Sequence, residues 1–176
     1  MTIALGLAVV VTKLFLSGQR WQTRNLRRTN LQQQMMLATQ RISADLQQST
    51  PVGITVGPNQ LAVQKIADVS TDIPPRHIWE TALIVYFVNS GGLYRRTWPP
   101  APPNLGVTLS TSQPFHPDPA QLNTLCSGNG TNRLGSNLTV MQVSPPNTLP
   151  LTLSLSVAEE GETLSCVRTL SLRNAE

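Results

Sequence analysis

Residues 3–16 read IALGLAVVVTKLFL, and residues 17–49 follow as SGQRWQTRNLRRTNLQQQMMLATQRISADLQQS. The first stretch is apolar apart from Thr12 and Lys13; the second is rich in Gln and Arg and keeps a thin apolar stripe. No proline precedes Pro51, and Gly6 and Gly18 are the only glycines before it, so nothing in the composition breaks a helix over this length. Leu31, Met35, Ala38, Ile42, Leu46 and Ser49 recur at steps of three and four, which places them on one helical face. Gln32, Gln33, Gln40, Arg41, Gln47 and Gln48 take the other side. The pattern predicts one N-terminal helix over residues 1–50, oily in residues 3–16 and amphipathic in 17–50, ending at Ser49-Thr50-Pro51.

At about 1.5 Å rise per residue the oily run covers roughly 21 Å, short of the ~30 Å hydrocarbon core of a bilayer. It is open to reading as a buried core helix, the apolar part of a signal peptide, or a spanning segment whose beginning is missing. No basic residue precedes it and Arg-rich helical sequence follows it, which favours the last. On that reading Ile3, Leu5, Leu7, Val9, Val10, Val11, Leu14, Phe15 and Leu16 form a membrane or assembly segment, and the native N-terminus is expected upstream of Met1.

Charge divides the chain at the same place. Lys13, Arg20, Arg24, Arg27, Arg28 and Arg41 precede Pro51, against Asp45 alone, while residues 51–176 carry seven basic and eight acidic residues. The net charge of +4 therefore belongs to the helix. Arginines close to an apolar run suit anionic lipid headgroups better than a nucleic acid, and no direct nucleic-acid partner is expected.

Beyond Pro51 the signal turns to β: runs rich in Ile, Val, Leu and Thr, separated by Pro, Gly and Asn clusters. Residues 53–56 and 60–66 read as short strands joined across Gly57-Pro58-Asn59. Residues 81–88 (TALIVYFV) form the strongest strand, and Asn89-Ser90-Gly91-Gly92 supplies the positive φ of a tight hairpin returning as residues 93–98 (LYRRTW). The alternation puts Leu93, Arg95 and Thr97 on one face and Tyr94, Arg96 and Trp98 on the other. Residues 99–103 (PPAPP) read as a polyproline II connector, and 113–138 as loop. Residues 138–143, 149–158 and 163–172 complete the strands, the last two joined through Glu159-Glu160-Gly161-Glu162. The fold class is α+β: a long N-terminal helix packed on an antiparallel sheet formed by residues 51–176.

Catalytic chemistry finds little support. His77 and His116 are the only histidines, and a triad or a metal site needs more partners than His116-Pro117-Asp118 supplies. Glu159, Glu160 and Glu162 read as a charged hairpin turn rather than a cation site. No catalytic, cofactor-binding or metal-ligating residue is assigned, no cofactor is expected, and the chain reads as non-enzymatic.

The helix passing through LFLSGQRW to RISADLQQS resembles minor type IV pilins of the PilW kind and type II secretion pseudopilins of the GspJ kind. The LIVYF strand at 83–87 followed by GGLYRRTWP at 91–99 looks like the hairpin of the same proteins, and residues 151–172 match their terminal hairpin in character. Residues 101–148 share little with them. The resemblance implies a structural subunit that contributes to the assembly or tip of a pilus or pseudopilus and packs its helix against those of sister subunits. It implies an inner-membrane, single-pass placement with the domain on the extracytoplasmic side. Family members begin with a basic leader, a cleavage-point glycine and an acidic residue soon after; none stands before Ile3, and such a prepilin start is expected upstream. In an exported domain, a bridge between Cys126 and Cys166 would close a loop of about 40 residues and contribute roughly 3–4 kcal/mol, with two unpaired thiols the alternative. A single-pass, membrane-anchored extracytoplasmic binding module is the alternative function.

Overall fold

The computed structural model describes residues 2–99, 108–127 and 132–172, with side chains from residue 12 onward. The expected polyproline connector lies outside the described residues beyond Pro99, as do the side chains of Ile3, Leu5, Leu7, Val9, Val10 and Val11. The chain forms two compact units, Met1–Gln33 and Gln34–Glu176.

Helix α1 spans Thr2–Leu46 without a break, as the absence of proline allows. In its C-terminal part the stripe pattern holds. Ala38, Ile42 and Leu46 are buried, Met35 is half-buried, and Gln40 and Arg41 are exposed. The helix ends through a turn at Gln47 and Gln48 and a single 3₁₀ turn, Pro51–Gly53. Ser49 at this end is fully buried, its hydroxyl donating to the Gln64 carbonyl at 2.6 Å. Gly53 lies so close to the sheet that a Cβ there would overlap the Trp79 ring and Ser49 Oγ and sit 2.8 Å from the Gln64 carbonyl oxygen.

A five-stranded antiparallel sheet follows, in the order β1-β2-β3-β4-β5. Its strands are β1 (Ile54–Gly57), β2 (Gln60–Val69), β3 (His77–Asn89), β4 (Gly92–Trp98) and, after helix α2 (Pro119–Cys126), β5 (Asn132–Ser136). The β3–β4 turn has Ser90 at φ 46° and Gly91 at φ 69°, the left-handed pair a two-residue hairpin needs. One sheet face carries Leu61, Val63, Ile84, Tyr86, Leu93 and Arg95, and the residues between them form the other. That second face buries Ala62, Leu83, Val85 and Phe87 with Leu109, Leu122, Leu125 and Cys126, so α2 and the segment leading to it cover it.

A second sheet, β6-β7-β8, comprises Leu138–Val143, Leu151–Glu159 and Glu162–Leu170. Its inner face buries Leu138, Met141, Leu151, Leu153, Leu155 and Val157, and β6 lies against β2, β3 and β4. The architecture is thus α+β, with a long N-terminal helix, a five-stranded antiparallel sheet and a second, three-stranded one.

The segment expected to be loop, residues 113–138, contains α2 and β5. The start of α2 is a capping box: the Asp118 carboxylate accepts from Gln121 N at 2.8 Å, and Gln121 Oε1 accepts from Asp118 N at 3.0 Å, with Pro119 opening the first turn. The DPAQ tetrapeptide at 118–121 carries that signal in the sequence.

Candidate functional site

Two features stand out, one in each unit. In the first, Leu14, Phe15 and Leu16 are exposed on α1, as are Trp21 and Leu26 farther along. Three consecutive apolar residues on a helix occupy three directions around its axis, and Trp21 stands two turns after Leu14 on the same side. Lys13, Arg20, Arg24, Arg27 and Arg28 are exposed along the same stretch. No helix among the described residues is long and apolar enough to cross a membrane.

In the second unit the single acidic residue of α1 sits at the centre of a buried polar cluster. Asp45 points at the first sheet face, where Lys65 Nζ lies 2.6 Å from Oδ1 and Arg95 Nε lies 3.1 Å from Oδ2. The Tyr86 hydroxyl also donates to Oδ2, and Arg95 Nε lies 3.3 Å from that hydroxyl. Strand pairing brings Tyr86 and Arg95 together as direct cross-strand partners. Lys65 reaches the cluster by strand alternation, standing on the same sheet face as Leu61 and Val63, while the β2–β3 register shift between Gln64 and Ile66 leaves it without a ladder partner. Burial pushes the Asp45 carboxyl up, but hydrogen bonds from Lys65 and Tyr86 and the charges of Lys65 and Arg95 outweigh it and hold the pKa below its ordinary value of 3.8. Burial, then the neighbouring Asp45, pushes the Tyr86 phenol well above its usual range. The arrangement keeps Asp45 ionised and Tyr86 protonated. It fixes the end of α1 on the sheet.

On the opposite sheet face Arg96 donates to the carbonyls of Leu125 and Ser127, both at 3.3 Å, and so ties down the C-terminal end of α2. Buried Gln64 accepts from Phe115 N at 2.6 Å and donates to the Glu80 carbonyl at 2.7 Å, fastening the segment before α2 to the sheet. Trp98 stacks on Phe115 with ring centroids 5.9 Å apart.

Of the expected residues, Leu14, Phe15 and Leu16 are described and exposed. Cys126 and Cys166, the possible disulfide pair, are both free thiols. Cys126 ends α2 and is buried against the second face of the large sheet, whereas Cys166 is half-buried in β8 of the small one. Burial pushes the Cys126 thiol up to about 11, partly offset by the charge of Arg96. His77 begins β3 and meets the Trp79 ring edge-on at 6.3 Å. Asp118 is engaged in capping α2 rather than orienting His116. No group of three or more His, Cys, Asp or Glu side chains among the described residues is placed to hold a metal ion.

One cleft, of about 480 Å³, opens between the β1–β2 turn at Gly57, Pro58 and Asn59 and the outer side of β6 and β7 at Gln142, Ser144, Thr152 and Ser154. Its lining has no ionisable group. Comparison with protein-family models, characterised proteins and solved structures gives no match.

Sequence reasoning did not anticipate the Asp45 cluster. Its signals were present separately: a lone acid in a basic helix, and a Tyr and an Arg at facing positions of one hairpin. Lys65 shares a strand face with Leu61 and Val63 by simple alternation, but no local pattern ties that face to Asp45 of the helix.

Proposed function

We propose that this chain is a non-enzymatic structural subunit of a helix-based assembly, a minor pilin or pseudopilin, using α1 as its assembly element. The observation that carries this reading is the exposure of Leu14, Phe15, Leu16, Trp21 and Leu26 on a helix whose own C-terminal residues Ala38, Ile42 and Leu46 are buried. Apolar side chains directed around a helix stabilise it only when lipid or other helices surround it. The resemblance of residues 83–99 and of the terminal hairpin to such subunits supports the same reading. Under it, the apolar run lies at the inner membrane and leaves it to join sister subunits, the arginines from Arg20 to Arg28 stand at headgroup level, and the domain lies on the extracytoplasmic side.

The test compares the full chain with its Phe15→Asp form during co-expression with helix-bearing sister subunits, read by cross-linking and co-purification. Phe15 is exposed, so the substitution leaves the domain folded, while a charge at that depth is costly in lipid and between apolar helices. Association of the full chain and its loss in Phe15→Asp are expected. Failure of the full chain to associate with any such subunit, or catalytic turnover by the chain, overturns the proposal. A second reading, a membrane-anchored binding module, is favoured by the cleft at Asn59 and Ser154. It requires that Ser154→Trp, which obstructs the cleft, weaken ligand binding while α1-dependent association persists.

A further inference from the structure

Strand β8 has an edge whose geometry selects a partner. The β7–β8 hairpin turns on Glu160 (φ 46°) and Gly161 (φ 85°), so Glu159 and Glu162 flank a two-residue turn and exchange both backbone hydrogen bonds. Strict alternation from there makes Val157/Leu164, Leu155/Cys166, Leu153/Arg168 and Leu151/Leu170 the remaining bonded pairs toward β7. The N–H and C=O groups of Thr163, Ser165, Val167 and Thr169 consequently point away from β7. These four residues are exposed, and among the described residues β8 pairs with β7 alone.

Several usual protections of an edge are missing from this strand, although Glu162 and Arg168 place charges on the face that carries Leu153 and Leu155. It runs nine residues, Glu162–Leu170, in unbroken register with β7, and carries no proline and no lysine. The opposite edge, β6, has a register shift between Leu138 and Val140 and lies against the large sheet.

The sequence of β8 is complementary to itself. When a second β8 is set antiparallel with Ser165 opposite Ser165, Thr163 meets Val167 on both sides of the centre, so every outward backbone group on these residues finds its counterpart. In the same register Glu162 stands opposite Arg168 twice, and Leu164 opposite Cys166 twice, all in the pairs where side chains approach most closely. A register that set Glu162 against Glu162 would place like charges together.

We propose that β8 is a self-association edge, occupied by the β8 of a second copy of this chain, giving a six-stranded sheet about a two-fold axis at Ser165. This inference does not depend on α1 or on the function proposed above.

The experiment uses the full chain in mild detergent, in a Cys166→Ser background. Ser165→Cys should yield a disulfide-linked dimer under mild oxidation. Ser156→Cys should not, because across the paired edges it lies three strand spacings, about 14 Å, from its counterpart, beyond disulfide reach. Adding Arg168→Glu to Ser165→Cys sets like charges opposite each other twice and should lower the dimer fraction on the order of tenfold. Glu162→Arg combined with Arg168→Glu should restore it, with circular dichroism confirming that each variant is folded. A Ser165→Cys chain that stays monomeric, equal linkage through Ser156→Cys, or a dimer fraction that ignores the charge reversal overturns the proposal.

Discussion

Replacing Asp45 by Asn tests whether the buried cluster fixes α1 on the sheet. The substitution keeps the side-chain shape and removes the charge that Lys65, Arg95 and Tyr86 share. The side chains of Asp45, Lys65 and Arg95 are 4%, 14% and 13% exposed, so little water is available to replace the lost carboxylate. Breaking a buried pair costs about 3–5 kcal/mol, and the residual exposure of the two cations points to the lower end, about 3 kcal/mol. With an unfolding entropy of about 2.1 cal/mol/K per residue over the roughly 140 residues of the second unit, that is a fall in Tm of about 10 °C. Near-UV circular dichroism of the full chain at pH 7 reads it. Lys65→Met in the Asp45→Asn background removes one stranded cation and should recover about 1 kcal/mol or more. The pH dependence has a definite sign. The folded pKa of Asp45 lies below 3.8, so its stabilisation is fully present above that value and is lost as pH falls through the folded pKa. The gap between wild type and Asp45→Asn should therefore close only in strong acid. A variant that melts within about 2 °C of wild type at pH 7, or a Lys65→Met change that further destabilises it, refutes the reasoning.

Three further outcomes follow from the packing. Ile42, fully buried, should lose at least about 3 kcal/mol on conversion to Asp, whereas Gln40→Asp on the exposed side of α1 should stay within about 0.5 kcal/mol; urea titration separates the two. Gly53→Ala drives a methyl into the Trp79 ring and the Gln64 carbonyl and should cost about 1–3 kcal/mol by the same measurement, with Gly18→Ala, which meets nothing, as control. A thiol reagent at pH 8 should modify one cysteine rapidly, and Cys166→Ser should remove that phase, because Cys126 is buried with its thiol pushed up to about 11.

The parts of the fold written in periodic patterns were legible from the sequence. The stripe Ala38, Ile42, Leu46 and the hairpin around Ser90-Gly91 each follow from a local rule that tertiary context did not override. Even the face assignment of Leu93 and Arg95 against Tyr94 and Arg96 holds, since a strand has only two sides. Helix α2 was hidden because its eight residues are too few for a helical period to emerge from a stretch full of Pro and Gly. Strand β5, containing Asn132, Arg133 and Gly135, has almost no β propensity and exists by pairing with β4. The helical part of the candidate site was visible as apolar residues in sequence. The Asp45 cluster was not, because its members are up to 50 residues apart and meet only where the end of α1 lies on the sheet.

Drawing Asp45 into the interior also alters what the helix shows to its surroundings. Lys13, Arg20, Arg24, Arg27, Arg28 and Arg41 are all exposed, and the one carboxylate that could offset them on α1 faces inward. By the side chains of its own exposed residues, the helix is a cationic rod of a single sign. Two such rods laid side by side repel, the more so at low ionic strength, where the Debye length reaches about 30 Å. Under the function proposed above, a bundle containing this helix would be electrostatically biased toward mixed composition: neighbours that carry acids at matching heights are admitted, and an identical neighbour is disfavoured. Raising the salt should relax that preference before it weakens the apolar contacts.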